Sequence, residues 1–217
     1  DVETNGLLPK KDKSDTNPIP IESYAHILQL SYAKYDINTN KLLETYDTYI
    51  KVKRTIDIPE KITELTGITR QDCMKGTNII EALSKFYQAY ITSDVVVAHN
   101  ISFDEKMILL EIERNRQEII KNSPGCMTIF NPTYEEINGV DRYCTMRKGT
   151  TITNIIVESK FQGKPPSLKW PRLEELYKKL FENENVDGLH NSMIDVLVCL
   201  RCYMKMRHNY DTGLLSA

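Results

Sequence analysis

The sequence predicts an α/β fold, and three observations carry that prediction. Two segments of alternating polarity, 24–35 and 44–53, are joined by a polar turn; Val95-Val96-Val97 is a short apolar run; and 78–90, 168–181 and 192–207 repeat their apolar residues at helical spacing. No repeat or low-complexity tract interrupts the order. At 217 residues the chain suits one sizeable core, so 1–217 is read as a single domain. With 41% hydrophobic and 27% charged residues it falls in the soluble globular range, and no apolar run approaches the ~20 residues a membrane span needs.

The elements follow in order. Asp1-Val2-Glu3-Thr4-Asn5-Gly6 sets two acids two residues apart before a glycine turn. On a strand, alternate side chains share a face, so Asp1 and Glu3 project into one small volume. Such carboxylates repel unless a cation lies between them, and a hard divalent ion, Mg²⁺ or Mn²⁺, is the natural candidate. The plain alternative is a solvated strand end. An acid pair at a strand end calls for an apolar strand before it, so the chain is expected to be trimmed at its N-terminus, with any targeting signal lost.

Leu8 to Ser23, rich in lysine and proline, reads as a loop. Tyr24 to Tyr35 and Glu44 to Lys53 form an antiparallel hairpin across Asp36-Ile37-Asn38-Thr39-Asn40, the second strand having one wet face. Pro59 opens a short helical turn closed by Thr66-Gly67-Ile68-Thr69. A helix over 78–90 then leads into the strand Asp94 to His99, whose valines predict burial on both faces. Ser102 with Glu105 predicts a capping box at the start of a long helix.

From 122 to 166 the pattern degrades into turns at Ser123-Pro124-Gly125, Asn131-Pro132 and Gly163-Lys164-Pro165-Pro166, with strand-like stretches at Tyr143 to Met146 and Thr150 to Val157. This region is read as an insertion. Leu168 to Phe181 is helical, with Leu173, Leu176, Tyr177 and Leu180 inward. The last helix, Ser192 to Arg207, follows Gly188-Leu189-His190.

Five cysteines, an odd number, describe no disulfide framework and predict a reducing compartment, cytoplasmic or nuclear. Cys199 and Cys202 form a lone C-x-x-C in an apolar helix, which predicts buried core thiols rather than a zinc site. The formal charge of −2 argues against a basic coat for non-specific duplex binding.

Acids therefore stand at the ends of three core elements: Asp1 and Glu3 on a strand, Asp104 and Asp195 in the first turns of helices. A helix dipole or a capping box accounts for either helical acid alone. Asp195, however, shares its helical arc with Cys199, Cys202 and Met206, and a carboxylate among apolar neighbours is costly unless a cation neutralises it. A shared metal centre meets that need. His190, five residues before Asp195, enters from the loop and suits a general base.

Asp1-Val2-Glu3-Thr4, His99-Asn100-Ile101-Ser102-Phe103-Asp104 and His190-Asn191-Ser192-Met193-Ile194-Asp195 resemble, in order and spacing, the three motifs of the DEDDh (DnaQ-like) 3′→5′ exonuclease superfamily. That superfamily includes the proofreading epsilon subunit of bacterial DNA polymerase III. Leu65-Thr66-Gly67-Ile68-Thr69 and Cys144-Thr145-Met146-Arg147 also look like segments its members carry. The resemblance implies a ribonuclease-H-like fold, a mixed five-stranded sheet with helices on both faces. It implies two divalent ions held by Asp1, Glu3, Asp104 and Asp195, with His190 as base. It also implies that Thr4, Thr66 and Phe103 lie beside the terminal nucleotide. Histidine five before the last aspartate, with Asn191 four before it, is the pattern of the histidine branch. Asn5 stands where a second threonine is common, and Ser192 where alanine is usual.

The implied activity is metal-dependent 3′→5′ hydrolysis of single-stranded or frayed nucleic acid ends to nucleoside 5′-monophosphates, with DNA favoured over RNA and a polymerase or replication protein as a possible partner. The rivals are an RNA-trimming exoribonuclease and a catalytically silent binding module on the same fold.

Overall fold

A computed structural model of the chain describes residues 1–10, 16–158, 165–182 and 184–215. The chain begins with β1 (Val2–Thr4) and, after a loop that includes a 3-10 turn at Ile21–Ser23, forms the hairpin of β2 (Ile27–Asp36) and β3 (Lys41–Tyr49). Short helices α1 (Glu60–Thr66) and α2 (Arg70–Lys75) precede α3 (Ile79–Tyr90), β4 (Val95–Ala98) and α4 (Ile101–Arg114). Helix α5 (Arg116–Asn122) leads into the predicted insertion, which holds a 3-10 turn, α6 (Pro132–Asn138), β5 (Asp141–Cys144), α7 (Thr145–Thr153) and β6 (Ile156–Val157), and β6 pairs with β7 (Ser167–Leu168) just beyond it. Helices α8 (Leu173–Leu180) and α9 (Ser192–His208) complete the order.

Local chemistry sets many of the boundaries. Gly67 closes α1 in the left-handed conformation at φ 75°, as the sequence predicts. Thr69 and Asp72 make a reciprocal capping box for α2, and the Asn78 side chain caps α3. Arg114 at the end of α4 donates to the carbonyls of Ile21, Tyr24 and Ala25, which ties the loop before β2 to the helix.

The α/β class holds, whereas among the described residues the single sheet of five strands does not appear. Antiparallel β1-β2-β3 form one sheet, parallel β4-β5 a second and β6-β7 a third. The reason lies at β1. Asp1 and Ser31 exchange backbone bonds at 3.0 and 3.1 Å, so the next residue, Val2, turns its amide away from β2. That amide is taken by the Asp104 carboxylate at 3.1 Å and not by a strand. A cavity of about 410 Å³ lies between β2 and β4. It explains why Val95, Val96 and Val97 are only half-buried, against the expectation of full burial.

Helices nevertheless cover both faces of β4-β5. Val96 packs on the core formed by α3, α4 and β2, through Leu83, Met107 and Ile108, while Val95 and Val97 pack with Tyr143, Tyr203 and Met204 on the side of α9. Alternate residues of one strand thus serve two helical layers. Helix α9 is buried nearly all round: Val198, Cys199, Arg201, Cys202, Tyr203 and Met204 are all inside. Arg201, 2% exposed, pairs with Glu184 and Asp211 and stacks on Phe181, which locks α8 and the tail to α9. The five cysteines are free and buried.

Other expectations are corrected. Ser102 and Glu105 make no capping box: Asn100, at φ 72°, is the N-cap of α4, the Ser102 hydroxyl donates to the Asn100 side chain, and Glu105 pairs with Arg142. Asn131-Pro132 is a helix start, because the Asn131 side chain caps α6 and proline occupies its first turn. The strand expected over 150–157 is mostly helix, since α7 continues to Thr153 and only Ile156–Val157 are extended. Gly149 lets α7 approach α8, where a Cβ would meet Leu176 Cδ1 at 2.7 Å; packing overrides the β-branched composition. Helix α8 starts at Leu173, Leu168 belonging to β7. Gly163 and Lys164 lie outside the described residues.

Candidate metal centre and active site

The acids of three elements meet at one end of β1. Ligand atoms of Asp1, Glu3 and Asp195 all lie within 4.8 Å of one another. The alternation of β1 sends Asp1 and Glu3 the same way while Val2 turns into the core, 5% exposed. Asp195 reaches them from the first turn of α9, whose start is fixed twice. The Asn191 side chain accepts from the amides of Met193 and Ile194, and the buried Ser192 hydroxyl donates to the Asp1 carbonyl at 3.0 Å. Sequence alone offers Ser192 as the start of a capping box with Asp195 and as a departure from alanine, whereas the N-cap of α9 is Asn191. In the fold Ser192 joins the first motif to the last.

Asp104 is 5% exposed and stands behind this group, held by the Val2 amide. Burial raises its carboxyl above the ordinary aspartate range. Glu3 is pushed up to about 7, by burial first and then by the charges of Asp195 and Asp104. Asp195 is pushed up to about 6, again by burial, although the His190 amide and imidazole partly offset this. Carboxylates that resist ionisation because they are buried and, in addition, face one another favour a cation among them. The Asp1 Oδ2 atom makes the same point, being buried without a hydrogen-bond partner. The donor set is all carboxylate, which fits a hard divalent ion such as Mg²⁺ or Mn²⁺.

His190 sits at φ 71° in the loop before α9, exposed, with its amide 3.4 Å from Asp195 Oδ1. The residues expected beside a nucleotide are placed differently from one another. Thr4 is buried and its hydroxyl donates to the Gly6 carbonyl at 2.7 Å, holding the turn after β1. Phe103 is half-buried against the α3–α4 core, one residue from Asp104. Thr66 spends its hydroxyl at the end of α1, donating to the Ile62 carbonyl and accepting from the Ile68 amide.

His99 directly follows β4 and opens the second of the three motifs. It bridges Thr145 Oγ1 at 2.9 Å and the Pro171 carbonyl at 3.0 Å, and burial lowers its pKa. Thr145 in turn lies 3.5 Å from Cys199 Sγ, one turn beyond Asp195. The His-Asn pair before α4 carried this signal, since a histidine leaving a buried strand needs partners for both ring nitrogens.

The sequence matches the RNase T family, described as Exonuclease, over residues 1–203. DNA polymerase III PolC-type of Clostridium perfringens (strain 13 / Type A) is 32% identical over 104 residues, 48% of this chain and 6% of that protein. The PolC-type polymerase of Mycoplasmopsis pulmonis (strain UAB CTIP) is 26% identical over 156 residues, 60% of this chain and 11% of that protein. The chain thus spans about a tenth or less of these relatives' length. Among solved structures, E. coli Exonuclease I in complex with a dT13 oligonucleotide superposes with a TM-score of 0.61 at 18% identity, over 96% of this chain and 40% of that one. Cell-death related nuclease 4 superposes with a TM-score of 0.61 at 14% identity, over 98% and 63%. At these identities the superpositions speak for a shared fold. The family match, running from the acid pair of β1 through the acid of α9, shows that the chain belongs to the RNase T exonuclease family, within the DnaQ-like superfamily whose motifs it resembles.

Proposed function

We propose that the chain is a metal-dependent 3′→5′ exonuclease that releases nucleoside 5′-monophosphates from single-stranded or frayed DNA ends. The observation that carries the reading is the convergence of Asp1, Glu3 and Asp195 within 4.8 Å, with the Asp1 Oδ2 atom buried and unpaired. Asp1, Glu3, Asp195 and, from behind, Asp104 would hold the ions. Two divalent ions, when bound, neutralise charge on the attacking and leaving oxygens of an in-line displacement.

The chain's own residues supply the rest. Exposed on its loop, His190 can meet solvent and take the proton of the attacking water. Thr4, through the turn it holds, Phe103 beside Asp104, and Thr66 are assigned to the terminal nucleotide. A PolC-type polymerase context, supported by the relatives, makes DNA the favoured substrate over RNA and a polymerase the favoured partner. Five reduced thiols accord with a reducing compartment, cytoplasmic or nuclear. No helix among the described residues is long and apolar enough to cross a membrane.

The five-stranded sheet belongs to the same proposal. It would set β4-β5 beside β1-β2-β3 across the cavity that β2 and β4 line.

A time course on 5′-labelled oligonucleotides with paired, mismatched and phosphate-blocked 3′ ends, in DNA and RNA forms, tests the activity. The expected result is a ladder shortening one nucleotide at a time in the presence of Mg²⁺ or Mn²⁺, slowed by pairing because the terminal bases must separate. Internal cuts, or shortening from the 5′ end, overturn it.

A further inference from the structure

Among the described residues, 145–158 and 165–172 carry Arg147, Lys148, Lys169 and Arg172 against the acid Glu158, a net +3 within a chain of net −2. The stretch runs through α7 and the β6–β7 pair, and His99 joins its two ends by bonding Thr145 at one and the Pro171 carbonyl at the other. Through Thr145 and Cys199 that joint abuts α9 one turn beyond Asp195, and through His99 it reaches the end of β4 just before α4, the helix that carries Asp104.

Its surface is apolar as well as basic. Trp170, the chain's single tryptophan, is 61% exposed, and Ile156 and Leu168 of the hairpin are 64% and 41% exposed. The backbone around Trp170 is held on both sides: the Lys169 amide donates to the Ile155 carbonyl, the Lys169 side chain pairs with Glu175, and the Pro171 carbonyl meets His99. A large ring kept out of the core on a braced backbone, in a segment that also exposes Arg147, Lys148 and Arg172, has the composition that takes single-stranded nucleic acid. Bases of any sequence stack on the ring, and cations follow the phosphates.

We infer that the surface formed by α7, the β6–β7 pair and 169–172 is the track for the single strand upstream of the cleaved end, with Trp170 as its base-stacking platform. This rests on the exonuclease reading above and names the path of that substrate. A protein partner would also cover apolar side chains. The net positive charge of these residues, in a chain of net −2, favours a polyanion.

The test uses metal-free protein in EDTA and 5′-fluorescein oligothymidylates of 3, 6 and 12 nucleotides. Anisotropy gives Kd, and emission of Trp170 reports contact in the unaltered chain. Affinity is expected to rise with length, with Trp170 emission quenched by dT12. Trp170→Ala is expected to remove about 5- to 150-fold of the gain between dT3 and dT12, the value of one stacked base. Because Trp170 is exposed, its loss leaves the core intact, and Arg147→Glu with Lys148→Glu provides a second check. Losing two phosphate contacts should flatten the slope of log Kd against log salt by about 1.4. Emission that no oligonucleotide alters, or a length gain that survives both sets of changes, overturns the inference and leaves this face to a protein. Hydrolysis of thymidine 5′-monophosphate p-nitrophenyl ester with Mn²⁺ by the unaltered chain reports the acid centre separately. A chain that hydrolyses the ester while Trp170 is indifferent to DNA fails only the track, and one that binds DNA through Trp170 but leaves the ester intact fails only the exonuclease.

Discussion

Asp195 and His190 are neighbours with different burdens. Asp195 is held near an ionisation midpoint of about 6 by burial and by other acids, so removing its charge relieves repulsion in the metal-free chain. Asp195→Asn should therefore keep or raise the Tm in EDTA and lose the Tm increase that Mg²⁺ gives the unaltered protein, which thermal denaturation with and without the ion will show. Turnover retained near normal would remove Asp195 from the ligand set. His190 is exposed and touches Asp195 only through its amide. His190→Ala should bind divalent ions and oligonucleotides almost unchanged while kcat falls about 10²- to 10⁴-fold, the range for a positioned acid–base group. Calorimetry paired with single-turnover rates separates the two roles, and a loss of ion affinity equal to that of Asp195→Asn would end the assignment of His190 as a base.

At the scale of elements, the site depends on how α9 meets β1. The Ser192 hydroxyl is buried and bonds the Asp1 carbonyl, so Ser192→Ala should cost about 0.5–1.5 kcal/mol of stability, or a few degrees of Tm, with a weaker response to Mg²⁺ as Asp1 loses its tether. An unchanged Tm and an unchanged ion response would show the bond to be incidental. The elements legible in the sequence were those whose local chemistry and tertiary role agree. Asn78 and Gly67 bound α3 and α1 as written, and alternation placed the β2–β3 hairpin to within a few residues. Legibility failed where partners distant in sequence decide. Nothing local in Thr150-Thr151-Ile152-Thr153 announces a helix, because α7 is set by its approach to α8 at Gly149. Glu105 looked like a cap because Arg142, its partner, lies far along the chain. The acids were legible for the opposite reason: their spacing on a strand and in first turns is itself local. Ser192 and His99 were not, since their worth lies in bonds to Asp1, Thr145 and Pro171.

For the whole molecule, the crowded acids couple stability to pH in a direction opposite to the usual acid denaturation. Glu3 titrates at about 7 in the fold against an ordinary 4.5, and Asp195 at about 6 against 3.8. A carboxyl whose folded pKa is raised binds its proton more tightly folded than unfolded. Its stabilising contribution is therefore complete below the unfolded value and is lost as pH rises through the folded one. For these two groups that window runs from about pH 4 to about 7. In EDTA, the part of the stability due to this centre should decline across that window, and Tm with it. Mg²⁺ should restore the loss increasingly toward pH 8, because the ion binds the ionised carboxylates and competes with their protons. Glu3→Gln separates this centre from titration elsewhere, since an amide keeps the shape and removes the proton: its Tm should fall less between pH 5 and 7.5, and Mg²⁺ should raise it less. The check is a set of thermal melts at half-unit pH intervals, with EDTA or Mg²⁺, on both proteins. Parallel Tm profiles for the two in EDTA would show that Glu3 ionises freely in the fold, and the argument that its crowding calls for a cation would fail with it.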